Sequence, residues 1–168
     1  MNVPLEIERS LRVDAPLDTA RALLADLETT IGRFPKLRKL TRLGPDQYRW
    51  EMAVIGSRLA KIAHEVSYGA HYRIDAARGE LSWTPLKGVG NASIEGRFRL
   101  EADGRQTRLS FSVKGELREV PVPLMYRLLA PPFIQGKFAH LVDEFLARTA
   151  AALAAGEVKA PSVRARTA

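Results

Sequence analysis

The sequence predicts an α+β domain in which a curved antiparallel sheet of about seven strands wraps around one long C-terminal helix. Apolar and polar residues alternate through most of residues 37–117, which is the period of half-buried strands. Apolar residues then recur at helical spacing over residues 133–155. With 168 residues, 46% of them apolar, the chain is long enough for one domain with its own core.

The first strand and two short helices are predicted at the N-terminal end. Residues 5–13 alternate between apolar and polar, and Arg9 is the one charged residue on the apolar phase. The segment Asp14-Ala15-Pro16 ends this strand and opens a helix, because proline suits the first helical turn. A second short helix is predicted over residues 28–33, before Pro35.

Residues 37–117 are predicted to form consecutive hairpins with one dry face and one wet face. One strand is predicted to turn at Gly56, and the next to carry His64 inward before it kinks at Gly69. The dipeptide Asp103-Gly104 is a hairpin signal that joins the last two strands.

The C-terminal helix is the candidate that covers the dry face of the sheet. It is predicted over residues 133–155, after Pro131-Pro132. The domain is therefore expected to span residues 1–155, and the basic residues 156–168 are expected to form a flexible tail.

Composition and motifs exclude several kinds of site. The chain has no cysteine, which rules out disulfides, thiolate catalysis and cysteine-ligated metals. Its three histidines show no spacing typical of a metal site, and we expect neither metal nor cofactor. The first ten residues lack a basic start followed by an apolar run, and no stretch approaches the ~18 apolar residues of a membrane span. We therefore expect a cytoplasmic protein.

The net charge of +7 is concentrated in one stretch. Residues 33–61 hold eight basic residues against two acidic ones, which is +6 of the total. This stretch could dock an anionic membrane or an acidic partner, or be a solvated face that aids solubility. Nucleic acid is not expected, because the basic residues are not interleaved with exposed aromatic ones. The membrane-docking candidates are Arg33, Lys36, Arg38, Lys39 and Arg42.

Two parts of the chain resemble a known superfamily. The opening Val13-Asp14-Ala15-Pro16-Leu17-Asp18, followed by Leu23-Leu24-Ala25-Asp26, resembles the opening of the START-like superfamily, also called SRPBCC. Leu81-Ser82-Trp83-Thr84-Pro85, followed by Gly88 to Ala92, resembles its polyketide-cyclase-like branch. Arg21 departs from the pattern, since the superfamily often has an aromatic residue there.

The resemblance covers about residues 5–155. It implies a helix-grip fold with a cavity for a hydrophobic molecule between sheet and helix. The superfamily also includes coenzyme Q-binding and birch-pollen-allergen-like proteins, and it hosts carriers, cyclases, hydrolases and regulators. The resemblance therefore implies the fold and leaves the function open.

The candidate ligand-binding residues lie on the inward phases of the predicted elements. Aromatic side chains with polar groups would suit flat ring systems, although the same residues could be ordinary core. The candidates are Arg9, Tyr48, Trp50, Met52, Ile62, His64, Tyr68, Trp83, Phe98, Phe111 and Phe138.

Two of these candidates, His64 and Arg9, can carry a positive charge, and each has a functional and a structural interpretation. His64 could be a general acid/base or bond a ligand oxygen, or it could be a neutral histidine satisfied by Tyr48, Tyr68 or a water. Arg9 could bind a ligand carboxylate or phosphate, or pair with a carboxylate near the sheet edge.

Three functions follow from these patterns. The leading hypothesis is a non-catalytic carrier or sensor of a lipid, isoprenoid, sterol or polyketide-like molecule, because few ionisable groups face inward. The second is a cyclase or dehydratase that uses His64, with Tyr48 or Tyr68 polarising an oxygen. The third is a module that docks an anionic membrane or an acidic partner. The oligomeric state stays open.

Overall fold

The computed structural model describes residues 1–57, 59 and 61–157. Its nine strands are β1 (Val3–Val13), β2 (Leu37–Gly44), β3 (Gln47–Met52), β4 (Ile55–Ser57), β5 (Ile62–His64), β6 (Ser67–Asp75), β7 (Glu80–Gly90), β8 (Ala92–Asp103) and β9 (Gln106–Leu117). Seven of them form one antiparallel sheet in the order β1-β9-β8-β7-β6-β3-β2, while β4 and β5 form a separate hairpin. The predicted seven-stranded sheet is confirmed.

Three α-helices complete the described part of the chain: α1 (Leu17–Ala25), α2 (Leu27–Gly32) and α3 (Ala130–Ala154). The side chain of Asp26 caps α2 by accepting a hydrogen bond from the Thr29 amide at 3.2 Å. This bond lowers the pKa of the Asp26 carboxyl. None of these helices is both long and apolar enough to cross a bilayer.

The long C-terminal helix begins three residues earlier than predicted. Pro131 and Pro132 lie in its first turn instead of preceding it. Proline is tolerated there because the first amides of a helix have no intrahelical acceptor. Beyond α3, residues 156 and 157 are described, and the rest of the predicted tail lies outside the described residues.

Helix α3 runs along β1, which is an edge strand of the sheet. The Arg9 guanidinium pairs with Asp143 of the helix, with Nε 2.7 Å from Oδ1. Further towards the start of α3, the Gln135 side chain donates to the Glu6 carbonyl and accepts from the Glu6 amide. Gln135 thus satisfies backbone groups that an edge strand would otherwise leave open.

The strand boundaries around Gly69 differ from the prediction. The run that was predicted as one strand through His64 is interrupted after that residue, and Ser67 begins a new strand that continues through Gly69. The Asn91 side chain stabilises the segment between β5 and β6 with two hydrogen bonds. It accepts one from the Ser67 amide at 2.9 Å and donates one to the Glu65 carbonyl at 2.8 Å. The predicted kink at Gly69 is wrong.

Gly69 has a packing role instead. A Cβ at this position would lie 2.9 Å from the Cβ atoms of Leu86 and Val89, which bulge out of β7. The glycine therefore lets the neighbouring strand pass closely while its own strand continues.

Gly56 is also placed differently from the prediction. It lies inside β4 and not in a turn, with a φ of 120°. A Cβ there would lie 1.9 Å from the Ile62 carbonyl oxygen, so the tight β4–β5 pairing requires glycine.

The core lies between the inner face of the sheet and the helices. The paired strands bring their buried residues to the same face, and α3 adds Ile134, Phe138, Leu141, Val142 and Phe145. The sheet has two distinct ends. At one end Val3 pairs with Leu117 and α3 begins, while β8 and β9 turn at the other end.

Candidate functional site

An apolar cavity of about 60 Å³ lies between the sheet, α2 and α3. Its wall is formed by inward-facing residues of the strands, which alternate along each strand, and by a stripe of α3. Seven of the predicted ligand-binding residues lie on this wall: Trp50, Met52, Tyr68, Trp83, Phe98, Phe111 and Phe138.

Six aromatic residues of this wall contact one another in a closed ring, which we call the aromatic belt. Its members are Phe34, Trp50, Tyr72, Trp83, Phe111 and Phe145. Ring centroids of successive members lie between 5.4 and 5.8 Å apart. The remaining link is a hydrogen bond, in which Trp50 Nε1 donates to the Tyr72 hydroxyl at 2.8 Å. Such edge and tilted contacts add stability beyond the area that they bury.

The cavity wall is electrically neutral. Its only titratable residues among those described are Tyr68 and Tyr72. Burial raises the pKa of both hydroxyls, so they stay protonated at neutral pH. The other polar side chain on the wall, Thr30, is already satisfied because its hydroxyl donates to the Leu23 carbonyl at 2.7 Å.

One polar atom of a described wall residue is buried without a hydrogen-bond partner, and this is Nε1 of Trp83. The indole packs over Gly96, its neighbour on β8. A Cβ at Gly96 would lie 2.2 Å from Cζ2 of the indole. Any side chain at this position would therefore clash with the ring. An unpartnered buried N–H costs free energy, which an acceptor atom of a ligand could recover.

His64 does not line the cavity, contrary to the sequence-based prediction. It ends the short strand β5, where the amino terminus and Glu119 are its charged neighbours. Burial lowers the pKa of His64, and the positive amino terminus lowers it further. Its Nε2 is buried without a hydrogen-bond partner among the described residues, whereas the Arg118 backbone is a hydrogen-bond partner of the imidazole. The alternative in which a water satisfies this histidine stays a prediction. The reason for the misplacement is the interruption after β5, which separates His64 from the inward row that continues at Tyr68.

The other predicted residues outside the wall have structural partners. Arg9 pairs with Asp143, as in the alternative in which it meets a carboxylate at the sheet edge. Tyr48 donates from its hydroxyl to Glu28 Oε1 at 3.0 Å, and the cost of burial raises its pKa. Ile62 is buried in the β4–β5 hairpin.

The predicted basic candidates lie at or next to the edge strand β2. Arg38 pairs with Glu65 at 3.4 Å, and Lys36 donates to the Val54 carbonyl at 2.9 Å. Charged side chains on an edge strand discourage pairing with other chains, which gives this stretch a structural role. Docking of a membrane through Arg33, Lys36, Arg38, Lys39 and Arg42 stays a prediction.

Sequence reasoning missed several wall residues as ligand candidates. Phe34 comes from the loop between α2 and β2, and Phe145 comes from the stripe of α3 that had been assigned to the core. Tyr72, in contrast, is one of the aromatic residues with polar groups that the sequence predicts as walls, and it lies on β6 in phase with Tyr68. No local pattern indicates Phe34.

Several solved structures are similar to this chain. The Zhui aromatase/cyclase from Streptomyces sp. R1128 aligns with a TM-score of 0.67 over 89% of this chain and 93% of its own, at 16% identity. A START superfamily protein from Mycobacterium smegmatis aligns with a TM-score of 0.55 over 91% of this chain and 96% of its own, at 18% identity. The chain has the helix-grip fold of the START-like superfamily.

A third helix-grip structure extends the similarity to plants. The ginseng major latex-like protein 151 from Panax ginseng aligns with a TM-score of 0.56 over 89% of this chain and 97% of its own, at 11% identity. No protein-family model matches the chain, and no curated protein matches its sequence. The similarity therefore concerns the fold, and the function must be argued from the site.

The volume of the cavity limits what this helix-grip domain holds in the conformation described. An apolar cavity of about 150 Å³ accommodates benzene, and pockets for drug-sized ligands run from about 300 to 1,000 Å³. At about 60 Å³, the present cavity is smaller than either.

Proposed function

We propose that this helix-grip domain binds a small, neutral, hydrophobic molecule between the sheet and α3, as a carrier or sensor. The observation that carries the proposal is the apolar cavity wall, in which Trp83 Nε1 is a buried donor without a partner. Burial of apolar ligand surface would supply most of the affinity, at roughly 25 cal/mol per Å². An acceptor oxygen on the ligand would bond the Trp83 donor and fix its orientation.

The proposal requires the wall to move, because the cavity of about 60 Å³ is too small for a ring-sized ligand. Helix α3 is anchored to β1 through Gln135 and through the pair of Arg9 with Asp143. We infer that the helix stays anchored on this side and tilts away from β3 and β6. The rings of Phe34 and Phe145, which contact each other between helix and sheet, would then separate.

The belt favours a ligand with a flat ring system over an acyl chain, because aromatic faces stack well on rings. Neutrality is favoured too, since a carboxylate or ammonium would be buried on a wall that offers no opposite charge. Acid–base catalysis receives less support. The titratable groups of the wall, Tyr68 and Tyr72, stay protonated, and His64 lies elsewhere.

The test combines identification of a native ligand with a graded series of probes. Native mass spectrometry of the protein from its own host, followed by solvent extraction, should reveal a discrete hydrophobic mass. Toluene, naphthalene and anthraquinone should raise the melting temperature, since a ligand that binds only the folded state stabilises it. A charged counterpart such as naphthoate should have a smaller effect than naphthalene.

A matched pair of variants shows whether the cavity is the binding site. Val142 lies on the cavity wall, so Val142→Phe fills the space from α3. Ala147→Phe adds the same ring to an exposed position of the same helix. Val142→Phe should abolish the shift in melting temperature, and Ala147→Phe should preserve it. Equal shifts in both variants, or no shift with any probe and no extracted mass, would refute the proposal.

A further inference from the structure

Four large aliphatic side chains are exposed together in the segment between β9 and α3. Leu124 and Met125 are each 78% exposed, Leu128 is 92% exposed and Leu129 is 64% exposed. We call these four residues the apolar turn. Single exposed apolar residues are common on protein surfaces, whereas a contiguous group marks a site of interaction.

The backbone of the apolar turn is well bonded. It forms a 3-10 turn, in which the Tyr126 amide donates to the Pro123 carbonyl at 2.9 Å and the Leu129 amide to the Tyr126 carbonyl at 3.0 Å. Before it, Val120 is buried and its amide donates to the Met1 carbonyl at 2.9 Å. The turn therefore projects its aliphatic side chains from a structured base.

The position of the turn in the fold concentrates apolar exposure at one end of the sheet. The turn follows the end of β9 after residues 118–123 and leads into the start of α3. Leu59, which is 99% exposed, lies in the β4–β5 hairpin that follows β3 at the same end. Elsewhere, Leu43 and Ile74 are exposed singly, at 46% and 40%.

This end of the sheet also carries exposed cations, together with the exposed carboxylates of Glu116 and Glu119 before the turn. Arg127 lies within the turn, Lys137 follows in α3, Lys61 lies in the β4–β5 hairpin and Lys87 lies in the bulge of β7. All four are exposed, and none of them pairs with a described carboxylate. An apolar projection with cations around it suits a surface that is apolar inside and anionic at its boundary.

We infer that the apolar turn docks this protein on an anionic lipid bilayer, with its four aliphatic side chains in the acyl boundary and the surrounding cations at the headgroups. A second copy of the chain fits less well, because a stable dimer buries about 800 Å² per partner from some 20–30 residues. One helical turn is smaller than that, and the cations would repel those of the other copy. The inference is independent of the cavity ligand.

The test measures cosedimentation of the full chain with vesicles. Wild-type protein should bind vesicles of equal parts phosphatidylcholine and phosphatidylglycerol, more weakly at high salt, and bind pure phosphatidylcholine poorly. The variant Leu124→Ser with Leu128→Ser should weaken binding by at least about tenfold, because two leucines no longer enter the bilayer. Arg127→Gln with Lys137→Gln should weaken binding to the anionic vesicles by about fivefold or more.

Two matched controls separate the turn from general surface properties. Leu43→Ser with Ile74→Ser removes two exposed aliphatic residues elsewhere, and Arg73→Gln with Arg105→Gln removes two exposed charges from β6 and from the turn between β8 and β9. Both control variants should bind like the wild type. The inference is overturned if wild type does not bind, if the controls lose as much as the turn variants, or if light scattering shows a dimer that Leu124→Ser with Leu128→Ser dissociates.

Discussion

The aromatic belt and the apolar turn are both clusters of large apolar side chains, yet they meet water in opposite ways. In the belt, residues from β3, β6, β7, β9, α3 and the loop between α2 and β2 contact one another around a small cavity. In the turn, four consecutive or nearly consecutive residues project from one short segment into solvent. The belt side chains are covered by other parts of the fold, whereas the four side chains of the turn are mostly exposed.

This difference in exposure predicts that the belt residues stabilise the fold and that the turn residues serve binding. Burial of apolar surface stabilises the folded state, so truncation in the belt should cost free energy of unfolding. Exposed side chains in the turn contribute little to that free energy, so their apolar character has to be explained by something outside the domain. The two regions should therefore respond in opposite ways to stability and binding measurements.

The largest expected effect comes from truncation within the belt. Phe111→Ala should lower the free energy of unfolding by about 3–5 kcal/mol, because it removes a buried ring that contacts Trp83 and Phe145. Urea denaturation measures this loss. Phe133→Ala, at a half-buried position outside the cavity wall, should cost less. Equal losses of unfolding free energy in the two variants would show that a belt residue stabilises the fold no more than a half-buried residue elsewhere.

A smaller loss is expected from an added methyl group. Gly96→Ala should destabilise by about 1–3 kcal/mol, since the new Cβ would lie 2.2 Å from the Trp83 ring. Gly136→Ala is the matched control, because Gly136 lies in α3 with open space around it. It should stabilise by about 0.5–1 kcal/mol. Denaturation of both variants should give opposite signs, and a stabilised Gly96→Ala would contradict the proposed indole position.

A change in the apolar turn should leave stability almost untouched. Leu124→Ser with Leu128→Ser should shift the free energy of unfolding by no more than about 0.5 kcal/mol per site. The same variant should lose vesicle binding. The turn would then affect binding without affecting stability, whereas truncation in the belt lowers stability. If it lost several kcal/mol in urea denaturation, the turn would be packed in solution and the comparison would fail.

The smallest expected effect concerns the pH dependence at His64. Its pKa in the folded protein is lowered, so the unfolded chain binds more protons as the pH falls below about 6.5. Stability contributed by the neutral form is therefore lost with acid, from near this pH down through the folded pKa. The melting temperature of His64→Gln should fall less than that of wild type between neutral and mildly acidic pH.

The exposed His140 provides the control for this measurement. His140→Gln should follow the wild-type melting temperatures across the same pH range. If His64→Gln followed them as well, the buried environment of His64 would not be a source of acid sensitivity.

Much of the architecture was readable from local pattern. The order of strands and helices, the Asp103-Gly104 hairpin and the α3 stripe follow from residue periodicity and turn chemistry, and all appear in the fold. Trp50, Trp83 and Phe111 were placed on the inner face by alternation alone. The strand boundaries near Gly56 and Gly69 were wrong, because a glycine that breaks a strand and one that permits close packing look the same in sequence.

The sequence by itself determined the fold class and which face of each element is apolar, because both depend on a repeat of two or 3.6 residues. Only the tertiary structure decided that Phe34 and Phe145 close the belt, that Arg9 meets Asp143, and that His64 lies away from the cavity. It also decided the small volume of the cavity. Volumes and distant pairs depend on how side chains from separate segments pack together, and no local repeat records that.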